Sequence, residues 1–488
     1  MPAEYLPAAV EYVRVLPEII LTAAGVWIMI LEGLAGQGHR RNLGYFALVG
    51  LAGAMWAAVA AHASAGTAFG GMLIVDGFAT FFRLLVLGVG VLTVLCSLAY
   101  LEREQADSGE YYALLLFSLV GQSVMVAAGE LIMIFIGLEI SSISSYVLAG
   151  YLRDDRRNNE AAVKYFLLGS FATAFLLYGV AWIYGVTGST SLVEIRRMLG
   201  SPDAGASPLL VGASAALLFV GFAFKVSAAP FQVWAPDVYQ GAPAPVTAFL
   251  TAGPKAAAFA VFLRVYMTAF QPIADRWQPV VWGSALLTMM VGNFAALHQT
   301  NIKRLLAYSS IAHAGYVMVA VAAGSPVGVA AAMFYLAAYA LMNVGAFAVV
   351  THFARPGERY VEVDDLAGLG VRQPATAALF ALFLLSLIGV PLTGGFFGKF
   401  YIFRAALDAG LVWLAVLGLL NSAVAAYYYL RIVVVMYMHE PSEASITVTP
   451  PTPALRVALW ISALGTLALG IFPSLVLDFA GRGASLAK

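Results

Sequence analysis

The sequence predicts an all-α polytopic membrane protein with about 14 transmembrane helices. Helices 4–8 and 9–13 are expected to form two inverted five-helix repeats, each with one broken helix, helix 7 and helix 12. Three observations support this fold class. The composition is 61% hydrophobic and 11% charged, with a mean hydropathy of +0.87, far from that of soluble domains. Apolar windows recur along the whole chain, and proline and glycine interrupt two of them.

A helix needs about 20 apolar residues to cross about 30 Å of hydrocarbon. The first such window is expected to be a retained helix, because acidic residues precede it and no signal-peptide cleavage pattern follows. The windows lie at residues 17–35, 43–62, 78–100, 111–128, 131–151, 161–187, 209–229, 245–270, 279–298, 303–323, 328–353, 374–391 continuing to 407, 410–438 and 453–478.

Two windows contain features that break a membrane helix. In GFAFKVSAAPFQVWAPDVYQGAPAP (221–245), Pro230 and Pro236 remove backbone donors, and in GVPLTGGFFGK (389–399), Pro391 is followed by three glycines. One membrane proline can be a plain kink, but paired breaks, each beside a lysine, point to inverted repeats around an ion site. The predicted division is 1–110 for the first three helices, 111–270 for helices 4–8, 279–438 for helices 9–13 and 439–488 for helix 14.

Charge and cysteine content exclude several classes of function. The 26 Lys and Arg residues balance the 26 Asp and Glu residues, so no charged field attracts nucleic acid, and the expected partners are the lipid bilayer and packed neighbours. The single cysteine, Cys96, excludes a disulfide and a Cys-rich zinc or iron–sulfur site. P-loop, dinucleotide-binding and H-E-x-x-H motifs are missing from the sequence. We therefore expect no metal and no cofactor in this chain.

The distribution of basic residues predicts the orientation, because such residues are retained on the cytoplasmic side. The loops after the first, third, fifth, ninth, eleventh and thirteenth helices contain twelve of them, and the opposite side contains seven. Both termini are therefore expected on the non-cytoplasmic side. The twelve are Arg40, Arg41, Arg103, Arg153, Arg156, Arg157, Lys303, Arg304, Arg355, Arg359, Arg372 and Arg456, and the seven are Arg14, Arg196, Arg197, Arg276, Arg404, Arg482 and Lys488.

Ionisable residues inside the predicted helices are the candidate functional residues, because a charge at the bilayer centre costs at least ~2.5 kcal/mol. Glu139 lies in the middle of the fifth helix, beside several serines. Lys225 precedes Pro230 by five positions, Lys255 follows Pro254, and Lys399 follows the second break. Lys164 opens the sixth helix and could instead extend to the cytoplasmic surface. The alternative role for each is a fixed structural ion pair.

These residue types suit a proton relay. Burial disfavours the charge of a lysine and a nearby carboxylate restores it, so a Glu/Lys pair can hold two protonation states of similar energy. Hydroxyl groups and water could carry the proton between successive lysines. His313 and Tyr308 are secondary candidates for this relay, whereas Arg83 and Arg264 are expected to be interfacial anchors.

Three long motifs carry a resemblance to a known family. The segment FKVSAAPFQVWAPDVYQGAPAPVTAFLTAGPKAAAFAVFLR (224–264), NIKRLLAYSSIAHAGY (301–316) and GVPLTGGFFGKF (389–400) resemble the antiporter-like membrane subunits shared by respiratory complex I and the Mrp-type cation/proton antiporters. The resemblance is strong from about residue 75 to about 440. Within the family it favours the subunit N branch, because the chain ends after the fourteenth helix and has Lys399 where a related subunit usually has Glu.

The resemblance implies a proton-translocating subunit, part of a NADH:quinone oxidoreductase translocase, in the bacterial inner membrane. It implies that Glu139 and Lys225 form the coupled pair of one half-channel, that Lys255 is the central lysine and that Lys399 serves the exit half-channel, with Lys164 as a further family lysine. The implied partners are other membrane subunits of complex I, including antiporter-like neighbours. NADH, FMN, iron–sulfur clusters and quinone would be bound by other subunits.

Two alternatives stay open at this point. The chain could be a subunit of a cation/proton antiporter or of a membrane-bound hydrogenase, or it could be a structural subunit that does not conduct. Sodium transport would require carboxylate and carbonyl ligands, and the lysine-rich axis argues against it.

Overall fold

The computed structural model describes residues 7–34, 40–201, 207–354, 357–358, 361–441, 450–484 and 486, which are almost entirely helical. The helices are α1 (Ala9–Arg14), α2 (Leu16–Leu34), α3 (Arg40–Ala63), α4 (Gly77–Arg103), α5 (Gly109–Ala127), α6 (Leu131–Ala149), α7 (Arg156–Thr187), α8 (Leu192–Leu199), α9 (Pro208–Val226), α10 (Ala235–Gly241), α11 (Ala244–Thr268), α12 (Ala274–Leu297), α13 (Ile302–Ala322), α14 (Pro326–Phe353), α15 (Leu369–Arg372), α16 (Pro374–Ile388), α17 (Gly394–Asp408), α18 (Val412–Met438), α19 (Pro453–Ile471) and α20 (Ser474–Gly483).

Within the described part of the chain, 13 helices are long and apolar enough to cross a membrane, and each lies at a predicted window. Of the 14 predicted windows, only the twelfth does not contain a described helix of that length. It forms α16, which has 15 residues and is only about 22 Å long, and the chain then resumes as α17. The predicted fold class is therefore confirmed. The sequence did not predict the short helices α1, α8 and α20, or the antiparallel hairpin of β1 (Gly66–Ala68) and β2 (Leu73–Val75).

The break of the seventh helix separates α9 from α10. The chain leaves α9 at Ser227, whose φ is 61°, and Pro230 follows within the non-helical segment. Backbone groups freed here find partners on α12, because Ala229 N donates to Thr288 Oγ1 at 2.8 Å and Ala229 O accepts from Ser284 Oγ at 2.6 Å. A neighbouring helix thus provides the polar contacts that lipid would not.

The break of the twelfth helix separates α16 from α17. Gly389, with φ of 97°, ends α16, and Pro391 lies in the turn before α17 begins. The Lys399 ammonium donates to the carbonyls of Leu387 and Ile388 at 3.0 and 2.7 Å, so a side chain after the break satisfies carbonyls before it.

The two proposed repeats pack their helices in a corresponding manner. The α5/α6 pair corresponds to α12/α13, and the packing of α7 on α9 corresponds to that of α14 on α16 and α17. Glycines allow both hairpins to approach closely, since a Cβ on Gly137 would lie 2.8 Å from Gly121 O, and one on Gly315 would lie 2.8 Å from Met289 N. The division at residues 110, 270 and 438 stays a prediction.

Helices α11, α13 and α14 form the buried centre of the bundle, and they are covered almost completely by the other helices. Their burial matters because α11 and α13 carry Lys255 and His313. Charged and polar side chains on these helices therefore meet other protein groups and not lipid.

The loops at residues 104–108, 150–155, 298–301 and 361–368 meet on one side of the bundle. We call this side the arginine-rich face, because Arg103, Arg153, Arg156 and Arg157 lie in or directly beside these loops. Gly357 joins them, since its carbonyl accepts from Arg157 Nη2 at 2.6 Å and its N–H donates to Glu104 Oε2 at 3.0 Å. Asn301 also pairs with Glu362 in a β-bridge. The predicted positions of Arg355, Arg359, Lys488 and the chain ends at 1–6 and 487–488 lie outside the described residues.

Close packing of the α12/α13 hairpin can be tested with Gly292→Ala. The new Cβ would overlap the Ala312 backbone, with Cα at 2.8 Å, and we expect a loss of about 1–3 kcal/mol in stability, measured as a lower thermal unfolding midpoint and less assembled protein. Gly283→Ala in the same helix is the control, because no atom lies within 4 Å of its added Cβ. Equal stability of the two variants would contradict the packing account.

Candidate functional site

Lys225 contacts the serine-rich face of α6, the helix that carries Glu139. Lys225 Nζ donates to Ser142 Oγ at 2.7 Å and lies 3.5 Å from Tyr146 OH, and its charge interacts with that of Glu139. Ser142 and Glu139 are one turn apart on α6, so they share a helix face. The described ion pairs do not join Lys225 directly to Glu139, and Glu139 Oε1 is buried without a hydrogen-bond partner. The two members of the predicted pair are therefore not in direct contact, and Ser142 binds Lys225 and the Leu138 carbonyl on the turn that carries Glu139.

A small cavity extends from Lys225 towards α11. Its volume is about 20 Å³, which is room for roughly one water molecule. Ser141, Ser142 and Ser145 line one wall, and Leu250 and Pro254 line the other. Pro254 lacks an N–H and so leaves the Leu250 carbonyl without its helical donor. The cavity therefore brings the polar side of Lys225 next to the helix turn that carries Lys255.

Lys255 is 2% exposed and contacts α13. Its Nζ donates to Ser310 O at 3.1 Å and also to Ser310 Oγ. The ring of Tyr239, on α10, lies 5.8 Å from the same Nζ. Because these partners are uncharged, Lys255 has no fixed counter-ion among the described ion pairs, and its charge can change without breaking a salt bridge.

A column of polar groups continues along α13 from Ser310. His313 lies one turn later, and its Nδ1 and Nε2 are 2.6 Å from Tyr335 OH and 3.2 Å from Tyr429 OH. His313 interacts electrostatically with both Lys255 and Lys399. The structure therefore places the secondary candidate His313 between the two lysines.

Lys399 lies at the far end of this column. It is 6% exposed, its Nζ donates to Ser422 Oγ at 2.7 Å, and it lies 4.8 Å from the centre of the Tyr316 ring. Tyr316 is one turn after His313 on α13. Lys225, the cavity, Lys255, the α13 column and Lys399 therefore follow one another through the bundle, and we call this set the central axis.

Two predicted residues lie outside the central axis. Lys164 forms ion pairs with Glu160 at 2.6 Å and with Asp237 at 2.7 Å, and its side chain is 39% exposed. Asp237 also pairs with Arg304 at 2.8 Å, so Lys164 belongs to a network between α7, α10 and α13. Tyr308 packs under the same Arg304, at 5.8 Å from its guanidinium carbon.

The hydroxyl groups that bind the lysines, those of Ser142, Ser310 and Ser422, were not among the residues predicted from the sequence. Ser310, His313 and Tyr316 recur every third residue in NIKRLLAYSSIAHAGY, a helical spacing that could have identified them as one face of α13. Ser142 and Ser422 could not be found in this way, because their lysines are distant in sequence.

The expectation that Arg83 and Arg264 are interfacial anchors was wrong. Arg83 is completely buried and forms a 2.8 Å ion pair with Glu18, which is 8% exposed. Arg264 is 4% exposed and forms two 2.9 Å hydrogen bonds with Asp76. Lys303, which was counted among the loop residues, is also buried and pairs with Glu358. All three cations lack the solvent contact that an interfacial anchor needs.

The described residues do not assemble a metal site. Groups of three or more His, Cys, Asp or Glu side chains that could bind a metal ion do not occur among those residues. Cys96 is buried and unpaired. The polar groups of the central axis are lysine, serine, tyrosine and histidine, a set that can accept and donate protons.

The broken helices and the buried lysine axis define the class of antiporter-like membrane proteins. The family described as "NADH:quinone oxidoreductase/Mrp antiporter, TM" matches residues 128–425. The chain is 64% identical to NADH-quinone oxidoreductase subunit N 1 of Solibacter usitatus, over 98% of both chains. It is 46% identical to subunit N of Trichlorobacter lovleyi, over 97% of this chain and 96% of the relative.

A solved structure has the same fold. A chain of respiratory complex I from Thermus thermophilus with bound aureothin superposes with a TM-score of 0.82 at 36% identity, and the match covers 96% of this chain and 100% of that one. The chain therefore belongs to the NADH:quinone oxidoreductase/Mrp antiporter membrane family, in the group of NADH-quinone oxidoreductase subunit N.

The buried Arg83 ion pair yields a stability prediction. Arg83→Leu leaves Glu18 buried without a counter-ion, and we expect a loss of about 3–5 kcal/mol, seen as a lower thermal midpoint and reduced assembly. The double variant Glu18→Leu, Arg83→Leu removes both charges and should recover most of that loss. An Arg83→Leu variant as stable as the unmodified protein would mean that Arg83 is an interfacial anchor after all.

Proposed function

We propose that this chain is a proton-translocating membrane subunit of NADH:quinone oxidoreductase and that the central axis carries the proton. The observation that supports this most directly is the row of buried lysines linked by hydroxyl groups, because such charges are costly in a membrane unless they serve a function. The similar proteins of Solibacter usitatus and Trichlorobacter lovleyi are named as subunits N of NADH-quinone oxidoreductase, which supports the assignment to that complex.

Each residue of the axis has a distinct role in the proposed mechanism. Glu139 holds the proton of Lys225 by electrostatic attraction, and a change in the charge near Glu139 releases that proton into the cavity beside Ser142. Lys255 receives it and passes its own proton to the α13 column through Ser310. His313 lies between Tyr335 and Tyr429. It accepts a proton at one ring nitrogen and releases one from the other, and the released proton passes on to Lys399.

Lys164 has a different role in this proposal. Its two carboxylate partners, Glu160 and Asp237, keep the Lys164 ammonium charged. This charge lies beside α10, the second half of the broken helix. A conformational change that moved α10 would alter this network and thereby the electrostatic environment of Lys225. Tyr308 would act through Arg304, which belongs to the same network.

The chain would function inside a larger complex. We propose that its partners are other membrane subunits of complex I, including antiporter-like neighbours, and that NADH, FMN, iron–sulfur clusters and quinone are bound elsewhere in that complex. We also propose the bacterial inner membrane as the location, with the arginine-rich face towards the cytoplasm.

Two other functions share this fold. The family description includes Mrp antiporters, so a cation/proton antiporter subunit has the same architecture. The 64% identity to a subunit N favours the oxidoreductase. A structural subunit without conduction would not need three buried lysines, each bound to a hydroxyl group, and it would tolerate their neutral replacement.

Lys225→Ala tests the relay in the assembled complex. We expect proton pumping and the coupled NADH:quinone electron transfer to fall by about tenfold or more, because a relay residue that donates and accepts a proton is removed. Membrane vesicles would be assayed for both activities, and a native gel would confirm that the complex assembles.

The control is Arg404→Ala, which removes an exposed cation of α17 whose only described ion pair, with Asp408, is itself exposed. This variant should keep both activities. If Lys225→Ala pumps at the unmodified rate, Lys225 is structural and the non-conducting alternative takes first place.

A further inference from the structure

A large polar recess opens at the arginine-rich face. It has a volume of about 1090 Å³ and lies between the ends of α4 and α6 and the start of α7. Glu104, Asp107, Asp155 and Arg156 are among its lining residues, and Gly357 forms part of its wall. Water therefore reaches the chain segment immediately before Glu358.

Glu358, the next residue, turns its carboxylate into the protein. Its side chain is 9% exposed and makes contacts with three separate elements. Oε1 accepts from Tyr100 OH on α4 at 2.8 Å and from Ala244 N at the start of α11 at 2.7 Å, and Oε2 pairs with Lys303 on α13. A single carboxylate thus joins the wall of the recess to the two helices that carry the centre of the relay.

Lys303 continues the polar contacts inwards. Its Nζ, 1% exposed as a side chain, donates to Ala242 O at 2.5 Å, and the same carbonyl accepts from Thr247 Oγ1 at 3.3 Å. Thr247 also donates to Tyr239 O at 2.9 Å, and the ring of Tyr239 lies 5.8 Å from Lys255 Nζ. Lys303 and Thr247 therefore meet at the Ala242 carbonyl, and Tyr239 lies between Thr247 and Lys255, outside the Lys225 cavity. No described hydrogen bond joins Tyr239 to Lys255, so a proton path along these groups needs water at that step.

We propose that Glu358 and Lys303 form a proton-uptake site that supplies Lys255 from the recess. This inference rests on the proposed function and adds to it an entry point separate from the Glu139/Lys225 pair. A proton from water in the recess adds to the Glu358 carboxylate, and the neutral acid no longer holds the Lys303 ammonium. Lys303 then releases its own proton towards Thr247 and Lys255, and the Glu358 carboxyl returns its proton to Lys303.

Several charged groups surround this pair and would tune uptake. Their signs are mixed, so the site has no large net charge that would fix Glu358 in one state. The groups that act on Glu358, Lys303 or Tyr100 are Arg103, Glu104, Asp155 and Arg157. A purely structural ion pair would use the same contacts to fasten the segment at 357–358, so the test has to separate the two roles.

The first test is Glu358→Gln in the complete complex, with NADH:quinone electron transfer and proton pumping recorded in vesicles from about pH 6 to about pH 9. The amide can still accept from Tyr100 and Ala244, but it cannot take up a proton. We expect less assembled complex, because the buried Lys303 loses its counter-ion, and a loss of pumping per assembled complex that grows from about twofold at low pH to about tenfold at high pH, where protons are scarce. Glu362→Gln is the matched control, because Glu362 binds Asn301 at the exposed start of α13 and should keep the unmodified profile.

The second test is the pair Thr247→Val and Thr247→Ser. Valine has the shape of threonine without the hydroxyl, so it should lower pumping about fivefold, whereas serine keeps the hydroxyl and should restore it. If the Glu358→Gln complex does not assemble, this pair of variants tests the uptake site by itself.

Three results would overturn the uptake site. A pH profile of Glu358→Gln equal to that of Glu362→Gln is the first. A loss of the same size at every pH, which a structural ion pair would produce, is the second. Equal pumping by Thr247→Val and Thr247→Ser is the third. If these variants pump normally while Lys225→Ala does not, only the uptake site fails. If Lys225→Ala also pumps normally, the proposed relay fails as well.

Discussion

The structure depends on the need to satisfy every buried charge and every freed backbone group without water. Lys399 meets this need most directly, because its ammonium bonds the carbonyls of Leu387 and Ile388 where α16 stops. At the other break, side chains of α12 bind the backbone of Ala229, and Lys225 binds Ser142. At the second break, the lysine and the freed carbonyls therefore stabilise each other, whereas at the first break α12 binds the backbone and Ser142 binds the lysine.

The two ends of the central axis differ in a way that has mechanistic consequences. Lys225 has a carboxylate, Glu139, close enough to influence its charge, whereas Lys399 has only hydroxyl and carbonyl partners in the described structure. A charge on Lys399 is therefore felt mainly by His313 and, through it, by the middle of the axis. In the proposed relay, only the Glu139 end therefore has a carboxylate that can stabilise a protonated lysine.

Much of the fold could be predicted from the sequence, because an apolar window of membrane length has few alternatives to a helix. The lysines of the axis were visible for the same reason, as charges inside such windows. Pairings across long sequence distances were not visible. Glu18 and Arg83 are 65 residues apart, and Lys303 and Glu358 are 55 apart, so the sequence placed Arg83 at an interface and Lys303 in a loop. Hydrogen-bond partners such as Ser422 depend on helix packing that one sequence does not encode locally.

If the central axis carries protons, polar contacts must run from Lys225 to Lys399 with only water-sized gaps between them. The most direct measurement is a structure of the assembled complex at a resolution that shows ordered water. We expect water in the cavity between Ser142 and Pro254, and between His313 and Lys399, so that each successive pair of groups lies within hydrogen-bond distance. Dry apolar contact between Lys225 and Lys255, in every state of the working complex, would contradict a continuous relay.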